Sequence, residues 1–175
     1  METNSPAVSY RAHLQQQIAI SRRTLIGVIV LTLANLGLLL ADGSTYLVFS
    51  VSVPYYLAWL GKAMDNNFSP VWTENGAFTA TGLAIGVAIL GVYLLLWLLS
   101  KKNGRWLWVA AGFLCLDLLA LVAVAALVLQ NIGGSLVEIL IHIVVIGQIG
   151  KGASAWKKLQ NQPPEISYTV VTDDL

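Results

Sequence analysis

Three ionisable side chains lie inside long apolar stretches of this sequence, where a charge is costly. Asp117 lies within "FLCLDLLALV", and Glu138 and His142 lie within "VEILIHIVV". Glu138 and His142 are four residues apart, so they share one face of a helix. Because an ionised carboxylate facing lipid is strongly unfavourable, we expect Asp117 to face inward and to be hydrogen-bonded or protonated.

Two roles fit these side chains. As a relay, Asp117, Glu138 and His142 would carry a proton or a cation through a helix bundle. As interhelical glue, they would fix helix packing at roughly 1 kcal/mol for a polar pair. Counted from the outer ends of the predicted spans at about 1.5 Å per residue, Asp117 and Gln148 lie at similar depths. Gln148 is therefore the predicted hydrogen-bond partner of Asp117. The same count places Asn35 on the same predicted polar track.

The sequence lacks the motifs of hydrolases and metal sites. The stretch "EILIH" has one histidine where a zinc protease helix has two. Ser135, Glu138 and His142 lie on one helix, where side chains seldom meet as a catalytic relay. The stretch "GQIGKG" lacks the Lys-Ser/Thr of a phosphate loop and is typical of a flexible helix end. We therefore predict no catalytic residue, no metal, no cofactor and no enzymatic activity.

Composition indicates that lipid is the natural solvent of this chain. Of its 175 residues, 57% are hydrophobic and 11% are charged, whereas soluble domains average about 25% charged residues. A soluble chain of this length cannot bury so much apolar surface. A net charge of +1 argues against nucleic acid as a partner. The single cysteine, Cys115, neither forms a disulfide nor completes a metal site.

Four stretches approach the length of about 20 apolar residues that crosses a bilayer. The predicted fold is all-α, a polytopic membrane four-helix bundle with an extra interfacial or re-entrant segment on the outer side. The predicted spans are residues 24–41, 77–99, 106–130 and 135–150.

The remaining segments are a juxtamembrane lead (1–23), an outer interfacial segment with a loop (42–76) and a tail (151–175). The lead is expected to be helical, with Tyr10, Leu14 and Ile18 on one face. Within the outer segment, the run 46–64 contains Pro54 and many aromatic residues. These favour a segment that re-enters or lies flat at the boundary over a fifth span.

The distribution of basic residues predicts the orientation. Nine of the ten Lys and Arg residues fall on the side of the N-terminus, and only Lys62 falls on the other. By the positive-inside rule, both termini are cytoplasmic in a multi-pass protein of the cell membrane. In "TGLAIG", Gly82 and Gly86 have the spacing of a helix-packing face.

The basic lead "SRR", the "FSVSVPYYL" segment and the four-span layout resemble uncharacterised small bacterial integral membrane proteins. The resemblance covers most of the chain and implies no particular activity. Multidrug-type exporters also have four short helices, but their essential first-span glutamate corresponds to Asn35 here.

Two function classes follow from these observations. The first is a non-enzymatic accessory or assembly component that packs against lipid, against other membrane subunits or against further copies of itself. The alternative is a small homo-oligomeric transporter or channel that uses Asp117, Glu138 and His142.

Overall fold

The computed structural model describes residues 6–41, 47, 50–72, 76–128, 130 and 133–162. Across these ranges the chain is helical, with no strand. Its elements are α1 (Pro6–Leu40), α2 (Ser52–Trp72), α3 (Ala77–Lys102), α4 (Trp106–Leu127), a 3-10 turn (Gly133–Ser135) and α5 (Leu136–Gln160). All of the α-helices except α2 are long and apolar enough to cross a membrane. The fold is thus the predicted all-α four-helix bundle.

The observed helices extend beyond the predicted spans mainly at the end of the bundle that holds most of the Lys and Arg residues. Residues 6–23 of the predicted lead and residues 24–40 of the first span form one helix, α1, in which Leu14 and Ile18 are buried and Tyr10 is exposed. Residues 1–5 lie outside the described residues. The predicted tail begins as helix, because α5 continues to Gln160. Residues 163–175 of that tail lie outside the described residues. The third span ends at Leu127 rather than at residue 130.

The glycines of "GQIGKG" lie inside α5, so the expectation of a flexible helix end is wrong. Helix α5 packs along α1 and α4. Gly152 lies directly against Ser21 of α1, with no room for a Cβ atom. The hydroxyl of Ser21 donates to the carbonyl oxygen of Gln148 at 2.7 Å. This close contact holds α1 and α5 together, and the helix continues through it.

The two ends of the bundle differ in charge. We call the end that carries Lys102, Arg105 and Lys158 the basic end, and the end at which α1 finishes and α3 begins the opposite end. At the basic end, the guanidinium of Arg22 donates to the carbonyl oxygen of Ser100, which joins α1 to α3.

Helix α2 packs antiparallel to α3 across three glycines. Gly61 lies against Phe78, Gly82 against Leu57, and Gly86 against Pro54. A Cβ atom at Gly86 would stand 3.1 Å from the carbonyl oxygen of Pro54, and one at Gly82 would be closer still to that of Leu57. The predicted packing glycines therefore provide the surface on which α2 lies.

This packing sets the depth at which α2 begins. Its first turn lies beside Gly86, about 14 Å along α3 from Ala77 at about 1.5 Å per residue. From there α2 runs towards the opposite end. The geometry matches the re-entrant alternative for the run 46–64 and not a segment lying flat at the boundary. Residues 46, 48 and 49 of that run lie outside the described residues.

Where α2 leaves the bundle, two of its side chains attach it to its neighbours. The ammonium of Lys62 donates to the carbonyl oxygen of Leu39 at 3.1 Å. The carboxylate of Asp65 accepts the backbone N–H groups of Phe78 at 3.1 Å and Thr79 at 2.7 Å, and the Thr79 hydroxyl at 2.6 Å. Asp65 thus caps the first turn of α3 from a neighbouring helix.

Candidate functional site at the start of α2

The chain that leads into α2 is held by two buried side chains of α1. The Asn35 amide donates to the Leu47 carbonyl at 2.7 Å and to the Ser50 hydroxyl at 2.8 Å, and its oxygen accepts the Leu47 N–H at 2.8 Å. The Thr32 hydroxyl accepts the Val51 N–H at 2.8 Å. In apolar surroundings, non-helical backbone requires such partners.

Asp117 of α4 caps the first turn of α2. One carboxylate oxygen, Oδ2, accepts the Ser52 N–H at 2.9 Å, and the other, Oδ1, accepts the Val53 N–H at 2.9 Å. A helix leaves about four N–H groups unpaired at its start. Here Val51 donates to α1, Ser52 and Val53 donate to Asp117, and Pro54 has no N–H. The first turn is therefore satisfied, and the carboxylate lies at the positive end of the helix.

Helix α5 completes the site with Glu138 and His142. The Ser52 hydroxyl donates to Oε1 of Glu138 at 2.6 Å. His142 contacts Oδ2 of Asp117 through Nε2 at 2.9 Å, and the carbonyl oxygen of Glu138 through Nδ1 at 2.9 Å. The side chains of Ser52, Asp117, Glu138 and His142 are all buried. The start of α2 is thus joined to both α4 and α5.

Hydrogen-bond accounting requires a proton between Asp117 and His142. Nδ1 of His142 faces a backbone carbonyl, which only accepts, so Nδ1 carries a hydrogen. Nε2 faces a carboxyl oxygen of Asp117, so one proton belongs to that pair. Either an imidazolium faces a carboxylate, or a neutral imidazole faces a carboxylic acid. The pair is chemically able to take up and release a proton.

The arrangement is not a hydrolase triad, although it contains a serine, a histidine and an aspartate. In a triad, the acid and the serine contact opposite nitrogens of the imidazole ring. Here both approach Nε2, and the Ser52 hydroxyl lies 3.4 Å from that nitrogen while it donates to Glu138. His142 therefore does not activate Ser52 while Asp117 orients the ring. Within the described ranges, no group of His, Cys, Asp or Glu side chains has the arrangement of a metal site.

The structure brings together only part of the predicted polar track. Asp117, Glu138 and His142 meet, and Asn35 holds the adjoining chain. Gln148 does not meet Asp117, so the predicted pair is wrong. Gln148 lies about 9 Å nearer the basic end than His142, at about 1.5 Å per residue, and its backbone accepts from Ser21. The depth estimate failed because it assumed level helix ends, whereas Asp117 lies ten residues from Leu127 and its partner His142 lies six residues from Leu136.

Ser52 and the backbone N–H groups that hold Asp117 were not predicted from the sequence. The signal is the stretch "SVSVP", in which a proline follows short polar residues. Proline is favourable in the first turn of a helix, where its missing N–H costs nothing. With this stretch taken as a helix start, Ser52 would have appeared as a residue of the first turn.

A small cavity separates the hydrogen bonds of α1 from those of α4 and α5. It is bounded by Ser50 and His142 on its polar side and by Val28, Leu114 and Val145 on its apolar side. Its volume is only about 10 Å³, about the space of one water molecule. A substrate or a hydrated ion does not fit there in this conformation.

The fold and site define a helical membrane protein in which one shorter helix begins inside a bundle of four longer helices. No known protein family, no curated protein and no solved structure matches this chain at a significant level.

Proposed function

We propose that this chain is a non-enzymatic component of the cell membrane, an accessory or assembly subunit whose four spans hold α2 in a fixed position. The observation that supports this proposal is the use of the buried polar side chains. Thr32, Asn35 and Asp117 all bond to the backbone between Leu47 and Val53. These side chains bind backbone groups and so position the chain, rather than facing a ligand.

The proposed partners are lipid and other membrane subunits, including further copies of the chain. Within the most apolar stretch of each span, only 28% to 39% of the residues are buried by the rest of the protein. The remaining surface is mostly apolar, as in Leu116, Leu119 and Val144. It offers enough area for lateral contacts with other helices.

Cysteine labelling on intact cells tests the proposed orientation, with both termini cytoplasmic. In a background with Cys115 replaced, Asn66→Cys at the opposite end should react with a membrane-impermeant thiol reagent. Asn161→Cys at the basic end should react only after the cells are opened. Both asparagines are exposed, so they form a matched pair. Labelling of Asn161→Cys on intact cells would contradict the orientation.

The second candidate function is a small homo-oligomeric transporter or channel, favoured by the proton shared between Asp117 and His142. Several transporters place a helix that begins at mid-depth next to their substrate site. If the bundle opens around the start of α2, the pair could load and release that proton.

Proton flux into vesicles with an enclosed pH-sensitive dye distinguishes the two functions. An accessory component should give no flux above that of protein-free vesicles. A transporter should give flux that Asp117→Asn abolishes while the variant still folds, because an amide does not exchange a proton in this way. Flux that survives this substitution would reject the relay, and flux in the wild type would reject a purely structural role.

A further inference from the structure

A groove opens at the basic end between the start of α4 and the end of α5. Its volume is about 380 Å³, far larger than that of the cavity beside His142. Its polar and aromatic wall consists of Arg105, Trp108, Trp156, Lys157, Gln160 and Asn161. It is far from the site at the start of α2 and uses none of its residues.

The short connection between α3 and α4 shapes this groove. The Asn103 side chain accepts the Arg105 N–H at 2.9 Å, which forms a tight turn. Gly104 then lies on the ring of Trp156, with no room for a Cβ atom. The Arg105 guanidinium stands 5.9 Å from the centroid of the same ring, within the range of a cation–π contact. The indole and the guanidinium are therefore placed by packing.

The groove carries positive charge without a described counter-ion. Arg105 and Lys157 are exposed, and neither pairs with a carboxylate in the part of the chain that the structure describes. The described acidic residues are Asp65, Asp117 and Glu138, which lie at the opposite end or inside the bundle. An arginine, a lysine and the neighbouring amide groups are the donors that a phosphate ester requires.

Two further features indicate a lipid rather than a soluble phosphate. Tryptophan rings such as those of Trp108 and Trp156 favour the depth of lipid headgroups. Gly112 follows Trp108 by one turn of α4, and Gly150 precedes Ala153 by about one turn of α5. A Cβ atom at either glycine would meet no other residue within 4 Å. The open space beside these two glycines leaves room for an acyl chain next to the groove.

We propose that this groove binds an anionic phospholipid. Its phosphate lies between Arg105 and Lys157, and one acyl chain lies along Gly112 and Gly150. The site is independent of the proposed function, because it requires neither transport nor a partner subunit.

Native mass spectrometry of the purified full-length protein in detergent, titrated with phosphatidylglycerol or phosphatidylcholine, tests the proposal. The double variant Arg105→Gln/Lys157→Gln should bind phosphatidylglycerol about tenfold to thirtyfold more weakly than the wild type. The matched control Lys102→Gln/Lys151→Gln removes the same charge from exposed positions outside the groove. It should change the affinity less than about threefold. Circular dichroism should show that both variants keep the helical fold.

A third variant distinguishes binding of a lipid from binding of free phosphate. Gly112→Leu should weaken phosphatidylglycerol binding several-fold, because the new side chain fills the path of the acyl chain. Equal losses in the two double variants would show a diffuse charge effect and overturn the proposal. Equal affinity for phosphatidylcholine would also overturn it. So would displacement of the lipid by millimolar inorganic phosphate combined with no effect of Gly112→Leu, because that result identifies a phosphate site.

Discussion

Replacing Asp117 by leucine should release the start of α2 from α4. The carboxylate accepts two backbone N–H groups and contacts Nε2 of His142, all at 2.9 Å. Leucine satisfies none of them, and a buried donor without a partner costs about 1–3 kcal/mol. Polar contacts inside membranes are often weaker than this, because the unfolded state also finds partners. Three lost contacts at this cost sum to about 3–9 kcal/mol, and the weaker values inside membranes place the expected loss at the low end, about 3–5 kcal/mol, similar to that for a broken buried ion pair.

Asparagine at the same position should cost less, and the structure shows why it is not neutral. The two carboxylate oxygens each accept one backbone N–H, from Ser52 and from Val53. An amide offers one oxygen and one NH₂ group, so one of these N–H groups will face another donor in either orientation. The NH₂ group donates to a neutral His142 in only one of the two. A cost of about 1–2 kcal/mol follows, equal to about one unmet buried donor.

Two measurements check these values. Reversible unfolding in mixed detergent micelles gives the free energy of unfolding of the wild type, Asp117→Asn and Asp117→Leu. Hydrogen exchange followed by mass spectrometry on a peptide covering residues 50–56 reports whether the first turn of α2 has become exposed. Asp65→Asn is the control, because Asp65 caps α3 rather than α2. It should leave exchange in residues 50–56 unchanged.

Capping of α2 by Asp117 would be refuted if Asp117→Leu matched the wild type both in unfolding free energy and in exchange of residues 50–56. That result would mean that the carboxylate does not cap α2. A loss of stability with unchanged local exchange would also count against it, since the effect would then arise elsewhere in α4.

Three further predictions follow from the same contacts. Gly82→Leu should destabilise the bundle by about 1–3 kcal/mol in detergent unfolding, because α2 must move away to make room for the side chain. Gly91→Leu places its side chain in open space and should cost less than about 0.5 kcal/mol. Hydrogen bonds, chiefly from the hydroxyl of Thr79, hold the pKa of Asp65 below its ordinary value of 3.8. The stability that Asp65 contributes is therefore present above pH 3.8 and is lost as the pH falls through the lower pKa of the folded state, so the difference in Tm between the wild type and Asp65→Asn should shrink from pH 7 to pH 3. Because Asp117 and His142 share one proton, the double variant Asp117→Asn/His142→Gln should show a coupling energy of about 0.5–3 kcal/mol, and additive single effects would contradict the sharing.

Much of the fold could be predicted from the sequence because lipid imposes a simple rule on composition and length. The starts of the second and third spans agree with α3 and α4, which begin at Ala77 and Trp106. The inward orientation of Asp117 was also predictable, since exposure of a carboxylate to lipid is so unfavourable. These predictions depend only on the residue types within one helix and on the surrounding solvent.

The capping of α2 could not be predicted in the same way because its donors belong to the backbone. Every residue except proline has an N–H group, so no residue type marks the two that hold Asp117. Depth matching considered only side chains and therefore selected Gln148. The start of α2 depends on Pro54 together with the contacts of Gly82 and Gly86, and these become apparent only when α2 and α3 are placed side by side.

Asp65 and Asp117 make the same contact at two depths, and the comparison shows why only one of them requires a histidine. Each carboxylate accepts two successive N–H groups at the start of a neighbouring helix. Asp65 is partly exposed, so solvent stabilises its remaining charge. Asp117 is buried inside the bundle, where two N–H groups and a helix dipole only partly offset the cost of a full charge. The proton that Asp117 shares with His142 provides the remaining stabilisation of this charge. Stabilising the capping carboxylate is thus reason enough for an ionisable pair inside the bundle, without requiring that a proton be transported.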